Sequence, residues 1–318
     1  MPFPSSRSAG SLLACVLLLA LVPALTGCNQ PSELPDTQIA GLMIDGDLDE
    51  ISGIAASRRE DGVLWAIDDS GKPANLYAIS HRGGRLATFR IEGIKKTDWE
   101  DIAGFELDGK PYLLIADTGD NGGIRKTLSL HVVEEPQDIK AGGILKPAWS
   151  IQFRWPDGAR DCEAVAVDAE RNQILLITKK RQPPQLYTLP LRATDNKKAP
   201  KTLTARLAGT LAGVPQAKAN ERRDNPAMAR LRSQVTAAGI NPQRDAIAVM
   251  TYANLLVYPR EANDSWAQAV ARPPLVVPMT LLPQPEAVAF SRGGKGIYAT
   301  GEFSPAPILF LPYHREVP

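Results

Sequence analysis

The stretch TDWEDIAGF, residues 97–105, places Asp98, Glu100 and Asp101 around a tryptophan at the start of a short apolar run. The same unit, which consists of a start segment, a turn and an apolar β-rich run, recurs along the chain. Its five copies begin at Ser52, Glu100, Glu163, Thr236 and Glu286. A spacing of roughly 50 to 70 residues suits four short strands with variable loops. The repeat therefore predicts an all-β protein built from five similar sheets.

Each copy continues into a third apolar run, and four copies continue into a fourth. The third runs are NLYAIS from Asn75, TLSLHVV from Thr127, QLYTLPL from Gln185, NLLVYP from Asn254 and PILFLPY from Pro307. The fourth runs are RLATFRIE, AWSIQFRW, TLTARLAG and QAVARPPLVV. The last copy has no fourth run, whereas residues 37–45, TQIAGLMID, precede the first copy without a partner. We predict that this segment is the outer strand of the last sheet, which would remove an open sheet edge.

The predicted fold is a five-bladed β-propeller that forms a single domain over residues 37–318. A six-bladed ring is the alternative, with the additional blade in residues 192–235, because the longest interval between copies contains them. Long amphipathic helical patterns are absent from the sequence, which argues against α/β folds.

The N-terminal segment has the pattern of a lipoprotein signal peptide over residues 1–27. Arg7 precedes the apolar run LLACVLLLALVPAL, and the junction Leu25-Thr26-Gly27-Cys28 resembles a lipobox. A transmembrane helix and an ordinary cleaved signal are the alternatives, although the run is short for a membrane span. We predict lipidation at Cys28 and a tether over residues 28–36. Because Asn29 stands where an inner-membrane retention signal has Asp, we expect the periplasmic face of the outer membrane.

The bulk composition narrows the classes of partner and of chemistry. With 36 basic and 35 acidic side chains, the chain has no global field that would attract nucleic acid or anionic lipid. We therefore expect membrane contact through the lipid alone, no nucleic-acid partner, and a monomer. Only three histidines are present, His81, His131 and His314, and the mature part has no G-x-S-x-G motif. A Ser-His-Asp hydrolase is therefore disfavoured.

In a propeller, the first strand of each blade lines the axis, and its start lies on the same face as the end of the second strand. Acidic side chains from several blades should therefore meet at one mouth of the central channel. The predicted ligand-binding residues are Glu100, Glu163, Glu286, Asp68, Asp117, Lys179, Tyr252 and Glu302. The predicted metal ligands are Glu100, Glu163, Glu286, Asp117 and Asp120. An oxygen-rich cluster without histidine suits Ca²⁺ or Mg²⁺, and we predict Ca²⁺ as the possible cofactor.

Purely structural roles are the alternatives for these residues. The motif DTGDNGG, residues 117–123, lacks EF-hand spacing and is typical of a tight turn in which Asp and Asn cap backbone N–H groups. A glutamate at a blade start can also accept hydrogen bonds from a neighbouring loop and lock the blades together. Such carboxylates would turn sideways into loops, whereas ligand-binding carboxylates would point at the axis.

Three further features of the sequence allow two interpretations each. Lys179 and Lys180 could neutralise the acidic ring, although the run TKKRQPP is more typical of a solvated loop. Tyr252 could line the pocket or cap the core. The basic segment AKANERRDNPAMARLRS, residues 217–233, could be a lid over the acidic face, but we favour an exposed loop in which Pro226 prevents a long helix.

The order of motifs also resembles a group of secreted bacterial β-propeller proteins. The motifs are LDEISGIAAS, WEDIAGF with IADTGDN, WPDGARDCEAVAVD with LLITKK, VTAAGINPQRDAIAVMTY, and PEAVAFS with YATGE. More distantly, the sequence is similar to phytase-like and gluconolactonase-like propellers. That resemblance implies Ca²⁺ in the axial channel and hydrolysis of phosphoesters or lactones, with Glu100, Glu163 and Glu286 as carboxylate ligands. Ser52 and Thr236 replace glutamate in two units.

The sequence thus predicts a lipid-anchored envelope propeller that binds a small ligand or a protein partner at an acidic, calcium-containing axial face. The first alternative is a metal-assisted hydrolase of phosphoesters or lactones that uses the same carboxylates. The second is a scaffold in an envelope complex.

Overall fold

A computed structural model of the protein describes residues 37–69, 71–192 and 202–314. The predicted signal peptide, the lipidation site Cys28 and the tether lie outside the described residues, as do residues 193–201 of the interval considered for a sixth blade. Among the described residues, no helix has the length and apolar character needed to cross a membrane.

The described residues form 22 strands and three short α-helices. The first eight strands are β1 (Gln38–Met43), β2 (Ile51–Ala56), β3 (Val63–Asp68), β4 (Asn75–Ser80), β5 (Arg85–Ile91), β6 (Trp99–Leu107), β7 (Lys110–Asp117) and β8 (Leu128–Glu134). The next seven are β9 (Gly143–Leu145), β10 (Trp149–Arg154), β11 (Ala164–Asp168), β12 (Gln173–Ile177), β13 (Gln185–Pro190), β14 (Thr202–Thr204) and β15 (Arg206–Thr210). The last seven are β16 (Val235–Ile240), β17 (Ala246–Thr251), β18 (Asn254–Pro259), β19 (Leu275–Pro278), β20 (Pro285–Phe290), β21 (Gly296–Gly301) and β22 (Ala306–Pro312). The helices are α1 (Ala219–Asp224), α2 (Pro226–Leu231) and α3 (Trp266–Val270).

The strands form five separate sheets, which are the five blades of a β-propeller. From the axis outward, the first blade is β2-β3-β4-β5-β9, the second β6-β7-β8-β10-β14, the third β11-β12-β13-β15 and the fourth β16-β17-β18-β19. The fifth blade is β20-β21-β22-β1, so the N-terminal strand completes the sheet made by the C-terminal strands. β1 pairs with β22 in antiparallel register from Gln38 opposite Phe310 to Met43 opposite Ala306. The five-bladed fold and its closure by residues 37–45 are thereby confirmed.

The core lies between adjacent blades, because the strands alternate their side chains between the two faces of each sheet. One cluster, for example, joins Trp65 and Phe89 of the first blade to Ile102 and Ile115 of the second. Each inner strand is almost wholly buried, which matches the continuous apolar runs in the sequence. The ring therefore encloses one apolar layer per pair of blades.

The innermost strands share a β-bulge at the position where the repeat begins. The pairing register skips one residue in four blades, and the skipped residues are Ser52, Glu100, Thr236 and Glu286. In the third blade the equivalent residue, Glu163, directly precedes β11. A bulged residue leaves the ladder and aims its side chain away from the normal alternation. The repeat position therefore faces the mouth of the channel at Ser52, Glu100, Glu163 and Glu286, whereas the hydroxyl of Thr236 contacts the fifth blade.

Several details of the outer strands differ from the sequence prediction. The segment QAVARPPLVV contains α3 followed by the short strand β19, because Ser265 caps a helix that packs Trp266 into the core. The segment TLTARLAG divides into β14, which pairs with β10 of the second blade, and β15, which belongs to the third. Residues 217–233 were favoured as an exposed loop, but they contain α1 and α2, and Pro226 begins the second helix.

The ring closure can be tested at Gly41, where β1 crosses the turn that follows β4. A Cβ atom at this position would overlap the backbone of Arg82, whereas a Cβ at Gly46 would meet open space. We expect Gly41→Ala to lower the free energy of unfolding by about 1–3 kcal/mol, because overpacking must displace backbone. Gly46→Ala should change it by less than about 0.5 kcal/mol. Denaturant titration of the two variants checks this, and equal stability would show that the contact is unimportant.

Candidate functional site

A cavity of about 330 Å³ opens at the mouth of the channel where the inner strands begin. Its lining is dominated by carboxylates from four of the five blades, together with two lysines and one tyrosine. The lining residues are Ser52, Asp69, Glu100, Asn121, Glu163, Lys179, Lys180, Leu231, Gln234, Tyr252, Glu286 and Glu302. The bulges of the inner strands and the ends of the second strands of the blades therefore meet around this cavity. We refer to this space as the axial cavity.

Six of the predicted ligand-binding residues line the axial cavity: Glu100, Glu163, Glu286, Lys179, Tyr252 and Glu302. Asp68, Asp117 and Asp120 do not line it. Thr236 occupies the equivalent repeat position, but its hydroxyl donates to the carbonyl of Pro285 and joins the fourth blade to the fifth. The recurring glutamates therefore face the axis, as ligand-binding carboxylates would.

Two overlapping groups of carboxylates lie at the edge of the cavity. One oxygen each from Glu100, Asp161 and Glu163 lie within 4.8 Å of one another, and the same holds for Asp69, Asp98 and Glu100. Glu100 belongs to both groups, which places it at their centre. Glu286, a predicted metal ligand, belongs to neither group.

Lys179 supplies the main compensating charge inside the cavity. Its ammonium group pairs with Glu163 Oε1 and lies 5.2 Å from the centre of the Tyr252 ring. Burial opposes the charged form, but the carboxylate of Glu163 more than offsets this and raises the pKa of Lys179. Lys180 is partly exposed and pairs with Asp161 at 2.9 Å. Lys179 is therefore part of a buried ion pair, and the solvated-loop interpretation is wrong for it.

Two buried polar atoms of the cavity lining have no hydrogen-bond partner. They are Glu163 Oε2 and Ser52 Oγ, and both residues are about nine-tenths or more buried, at 4% and 6% exposure. Leaving a buried acceptor unsatisfied costs free energy comparable to its desolvation. A ligand that supplies a cation or a donor at this point would remove that cost.

The pKa values of the cavity carboxylates are raised, first by burial and then by one another. Burial and the neighbouring Glu163 raise the pKa of Glu100 well above its usual range. Burial raises the pKa of Glu286 to about 8, although Lys179 opposes the shift. Burial and Asp69 raise the pKa of Asp98 to about 7, and burial raises that of Glu302 to about 6. The burial of several acidic groups around two lysines thus favours the protonated, neutral form of these carboxyl groups near neutral pH.

Asp117 and Asp120, which were predicted as metal ligands, hold a loop together. Asp117 accepts hydrogen bonds from the backbone N–H groups of Thr97 and Asp98 and from Arg125 at 2.6 Å. Asp120 accepts from the N–H groups of Ile124 and Arg125. Their oxygens are committed to these donors, as the tight-turn interpretation of DTGDNGG expects. By fixing the N–H of Asp98, Asp117 helps to place one of the carboxylates near the cavity.

Asp101 performs the blade-locking role that was considered for the glutamates. Its carboxylate is fully buried and accepts from the N–H groups of Ile102, Val165 and Ala238 at 2.8, 2.8 and 3.2 Å. The last two belong to the inner strands of the third and fourth blades. Asp101 therefore joins three blades across the axis, one residue after Glu100.

The channel narrows to an apolar throat beyond the axial cavity. The throat holds about 30 Å³ of free space among residues such as Ile54, Ile102 and Val288. At the far ends of the inner strands a second cavity of about 520 Å³ carries Arg58, Arg244 and Arg292, with acidic neighbours. The two mouths are therefore separate sites of different charge.

Several residues of the site were not in the predicted ligand set. Asp98 and Asp161 each lie two residues before a repeat start, and Asp69 directly follows β3. The position two residues before Glu100 and Glu163 was the signal in the sequence that could have identified Asp98 and Asp161. Leu231 is the last residue of α2 and Gln234 follows that helix, and neither was in the predicted ligand set.

Comparisons with known proteins add little beyond the fold. No protein-family model and no curated protein matches the sequence. Among solved structures, the chain is similar to a luciferin-regenerating enzyme, with a TM-score of 0.43 and 9% identity over 86% of this chain and 95% of that chain. It is also similar to U3-55K, with a TM-score of 0.39 and 11% identity over 83% of this chain and 68% of that chain. The β-propeller assignment rests on the sheet topology itself.

The buried Asp68 provides a test of the electrostatics beside the site. Neither of its carboxylate oxygens has a hydrogen-bond partner, and burial raises its pKa to about 7, with Lys72 and Lys96 opposing. The folded state therefore holds a proton that the unfolded chain, with a usual pKa of 3.8, has already released. The stability that this proton contributes is present at low pH and is lost as pH rises through about 7.

We expect Asp68→Asn to stabilise the protein at pH 8 by on the order of 1–3 kcal/mol and to change little at pH 4. Unfolding titrations at both pH values check this. Asp61→Asn, at a carboxylate whose side chain is 81% exposed, is the matched control and should change neither value appreciably. An equal effect of Asp68→Asn at both pH values would contradict the assigned protonation.

Proposed function

We propose that the protein binds a divalent cation, Ca²⁺, in the axial cavity, and that the cation forms part of a binding site for a small ligand. The observation that carries the proposal is the group formed by Glu100, Asp161 and Glu163, whose oxygens lie within 4.8 Å of one another. Glu163 also has a buried oxygen, Oε2, for which the described residues supply no hydrogen-bond partner. Acidic residues alone would be weak support, but an unsatisfied buried oxygen in the same group indicates a missing positive partner.

The donor set favours Ca²⁺ among the common metals. Every candidate ligand in the two groups is a carboxylate, and neither group contains histidine or cysteine. Hard cations prefer oxygen, whereas zinc and copper sites use nitrogen and sulfur. Oxygens on opposite sides of Ca²⁺ lie about 4.6–5.2 Å apart, since each is about 2.3–2.6 Å from the ion. The observed separations fit within that limit.

The rest of the cavity leaves room for a ligand beside the cation. Tyr252 and Glu286 line the cavity without belonging to the carboxylate groups, and Ser52 adds a buried hydroxyl without a partner among the described residues. A small molecule with oxygen donors would complete the coordination of the cation. Its remaining polar atoms could be recognised by Tyr252 and Glu286.

Calcium binding should depend on Glu100, because it is shared by both carboxylate groups. We expect Glu100→Gln to weaken Ca²⁺ binding at least about ten-fold, since affinity follows the number of charged ligands. Isothermal titration of chelator-treated protein with Ca²⁺ and with Mg²⁺ measures this. Glu106→Gln is the matched control, because Glu106 is an exposed glutamate on the same strand, β6.

A wild-type protein that binds neither ion would overturn the proposal. Because Glu163→Gln would leave Lys179 without its partner, that variant is informative only with a measured melting temperature. A Glu100→Gln protein that melts normally yet binds Ca²⁺ as tightly as the wild type would exclude Glu100 as a ligand.

A metal-assisted hydrolase of phosphoesters or lactones is the second candidate, and Glu286 favours it. With a pKa of about 8, this side chain retains its proton at neutral pH within reach of the cavity. A carboxylic acid in that state can donate a proton to a leaving group. Lys179 and Tyr252 would hold the substrate against Glu286. A bound divalent cation would supply polarisation of the carbonyl or phosphoryl oxygen.

A panel of phosphoester and lactone substrates, assayed with Ca²⁺ and with chelator, separates the two candidates. The hydrolase predicts turnover that needs Ca²⁺ and that falls at least about 100-fold in Glu286→Gln, because general acid catalysis contributes that much. If the protein binds Ca²⁺ but turns over none of the substrates, the hydrolase is excluded for these substrate classes and the ligand-binding function is favoured.

We further propose that the protein is anchored through a lipid on Cys28 to the periplasmic face of the outer membrane. The motif Leu25-Thr26-Gly27-Cys28 after an apolar run supports this. Cells fed a clickable palmitate analogue should label the wild type, whereas Cys28→Ser should lose the label and leave the membrane fraction. Labelling that persists in Cys28→Ser would contradict the proposal.

A further inference from the structure

We propose that a cleft between α1, α2 and Tyr252 holds the aliphatic tail of the ligand whose oxygen-bearing head occupies the axial cavity. This inference rests on the proposed function and names the class of ligand. The cleft has a volume of about 320 Å³, similar to the smaller ligand pockets of proteins. Its apolar lining comes from Met228, Ala229, Ala253 and the ring of Tyr252.

Several of the polar groups around the cleft are already paired. Glu221 accepts from the N–H of Lys218 at 2.7 Å and pairs with Arg232 at 3.2 Å. The side chain of Asn225 caps the N–H of Met228 at the start of α2. What the cleft offers to a ligand is therefore mainly apolar surface. Met228 is 54% exposed there, so covering it would remove apolar area from water.

The cleft and the axial cavity adjoin, which is why we assign them to the two ends of one molecule. Tyr252 lines both spaces. Its hydroxyl interacts with Lys179 and Glu286 in the axial cavity, while its neighbour Ala253 lines only the cleft. α2 has the same double role, because Leu231 lines the axial cavity whereas Met228 lines the cleft.

The chemistry of the two spaces specifies the ligand. The carboxylate group and its cation would bind an anionic or carbonyl oxygen at the head. A cleft whose exposed lining is mainly apolar suits an unbranched alkyl chain attached to that head. The ligand class is therefore an amphipathic molecule with an oxygen-donor head and a medium-length aliphatic tail.

Chain-length dependence is the direct test. Binding of butanoate, hexanoate and octanoate is measured by calorimetry with Ca²⁺ present. Affinity should rise roughly three- to four-fold for each added methylene that enters the cleft. Ala229→Trp, which fills the cleft, should remove that dependence while the affinities for Ca²⁺ and for butanoate stay within about two-fold of wild type. Ala227→Trp is the matched control, because Ala227 is exposed on the same helix and does not line the cleft.

The outcomes separate the cleft from the cation site. If Ca²⁺ binds but the affinity for the carboxylates is the same from butanoate to octanoate, the assignment of the cleft to an aliphatic tail is overturned and the proposed function stands. An unchanged chain-length dependence in Ala229→Trp also overturns it. If Ca²⁺ does not bind, the proposed function fails, and alkylammonium ions of the same lengths replace the carboxylates as ligands for a metal-free acidic cavity. In that case, an alkylammonium affinity that rises with chain length in the wild type but not in Ala229→Trp supports the proposed role of the cleft. An affinity that does not change with chain length in the wild type overturns it.

Discussion

The pairing of β1 with β22 is the contact on which the molecule depends, because it joins the two ends of the described chain within one sheet. Without it the fifth blade would present an open edge on β22, and nothing covalent would hold the ring shut. Closure places the five inner strands around one axis. Asp101 also holds the ring together, at the axis, since its carboxylate accepts hydrogen bonds from backbone N–H groups of the third and fourth blades. The site exists only because the ring is closed at its rim and tied at its middle.

Closure concentrates carboxylates at one mouth, and the protein satisfies them unequally. Asp101, Asp117 and Asp120 accept two or three backbone N–H groups each, which partly offsets the cost of burying them, although burial still raises the pKa of Asp101 well above its usual range. Lys179 compensates one oxygen of Glu163, and the other oxygen is left buried and unpartnered. Burying charge without a partner is costly, and the raised pKa of Glu100 is the expression of that cost. The difference between satisfied and unsatisfied carboxylates separates the supporting residues from those that face a ligand.

The two mouths of the channel are built for different environments. The acidic mouth carries the bulged residues and the α1–α2 segment, and Leu231 of that segment reaches the axial cavity. The opposite mouth carries Arg58, Arg244 and Arg292, and the apolar throat separates the two. The helical insertion thus lies on the face that has the unsatisfied oxygens. The proposed binding site lies on this same face.

The sequence by itself determined the blade count, the closing strand and the residues that start each inner strand, because period-2 runs and a repeated start segment are local patterns that fix register. It also placed Glu100, Glu163 and Glu286 at one mouth. Only the tertiary structure decided which acids remain available, since Asp117, Asp120 and Glu100 all carry a carboxylate and differ in the donors that reach it. It likewise decided that Lys179 is buried and that residues 217–233 fold into two helices. Hydrogen-bond partners and burial depend on how distant loops meet, and no local pattern specifies that meeting.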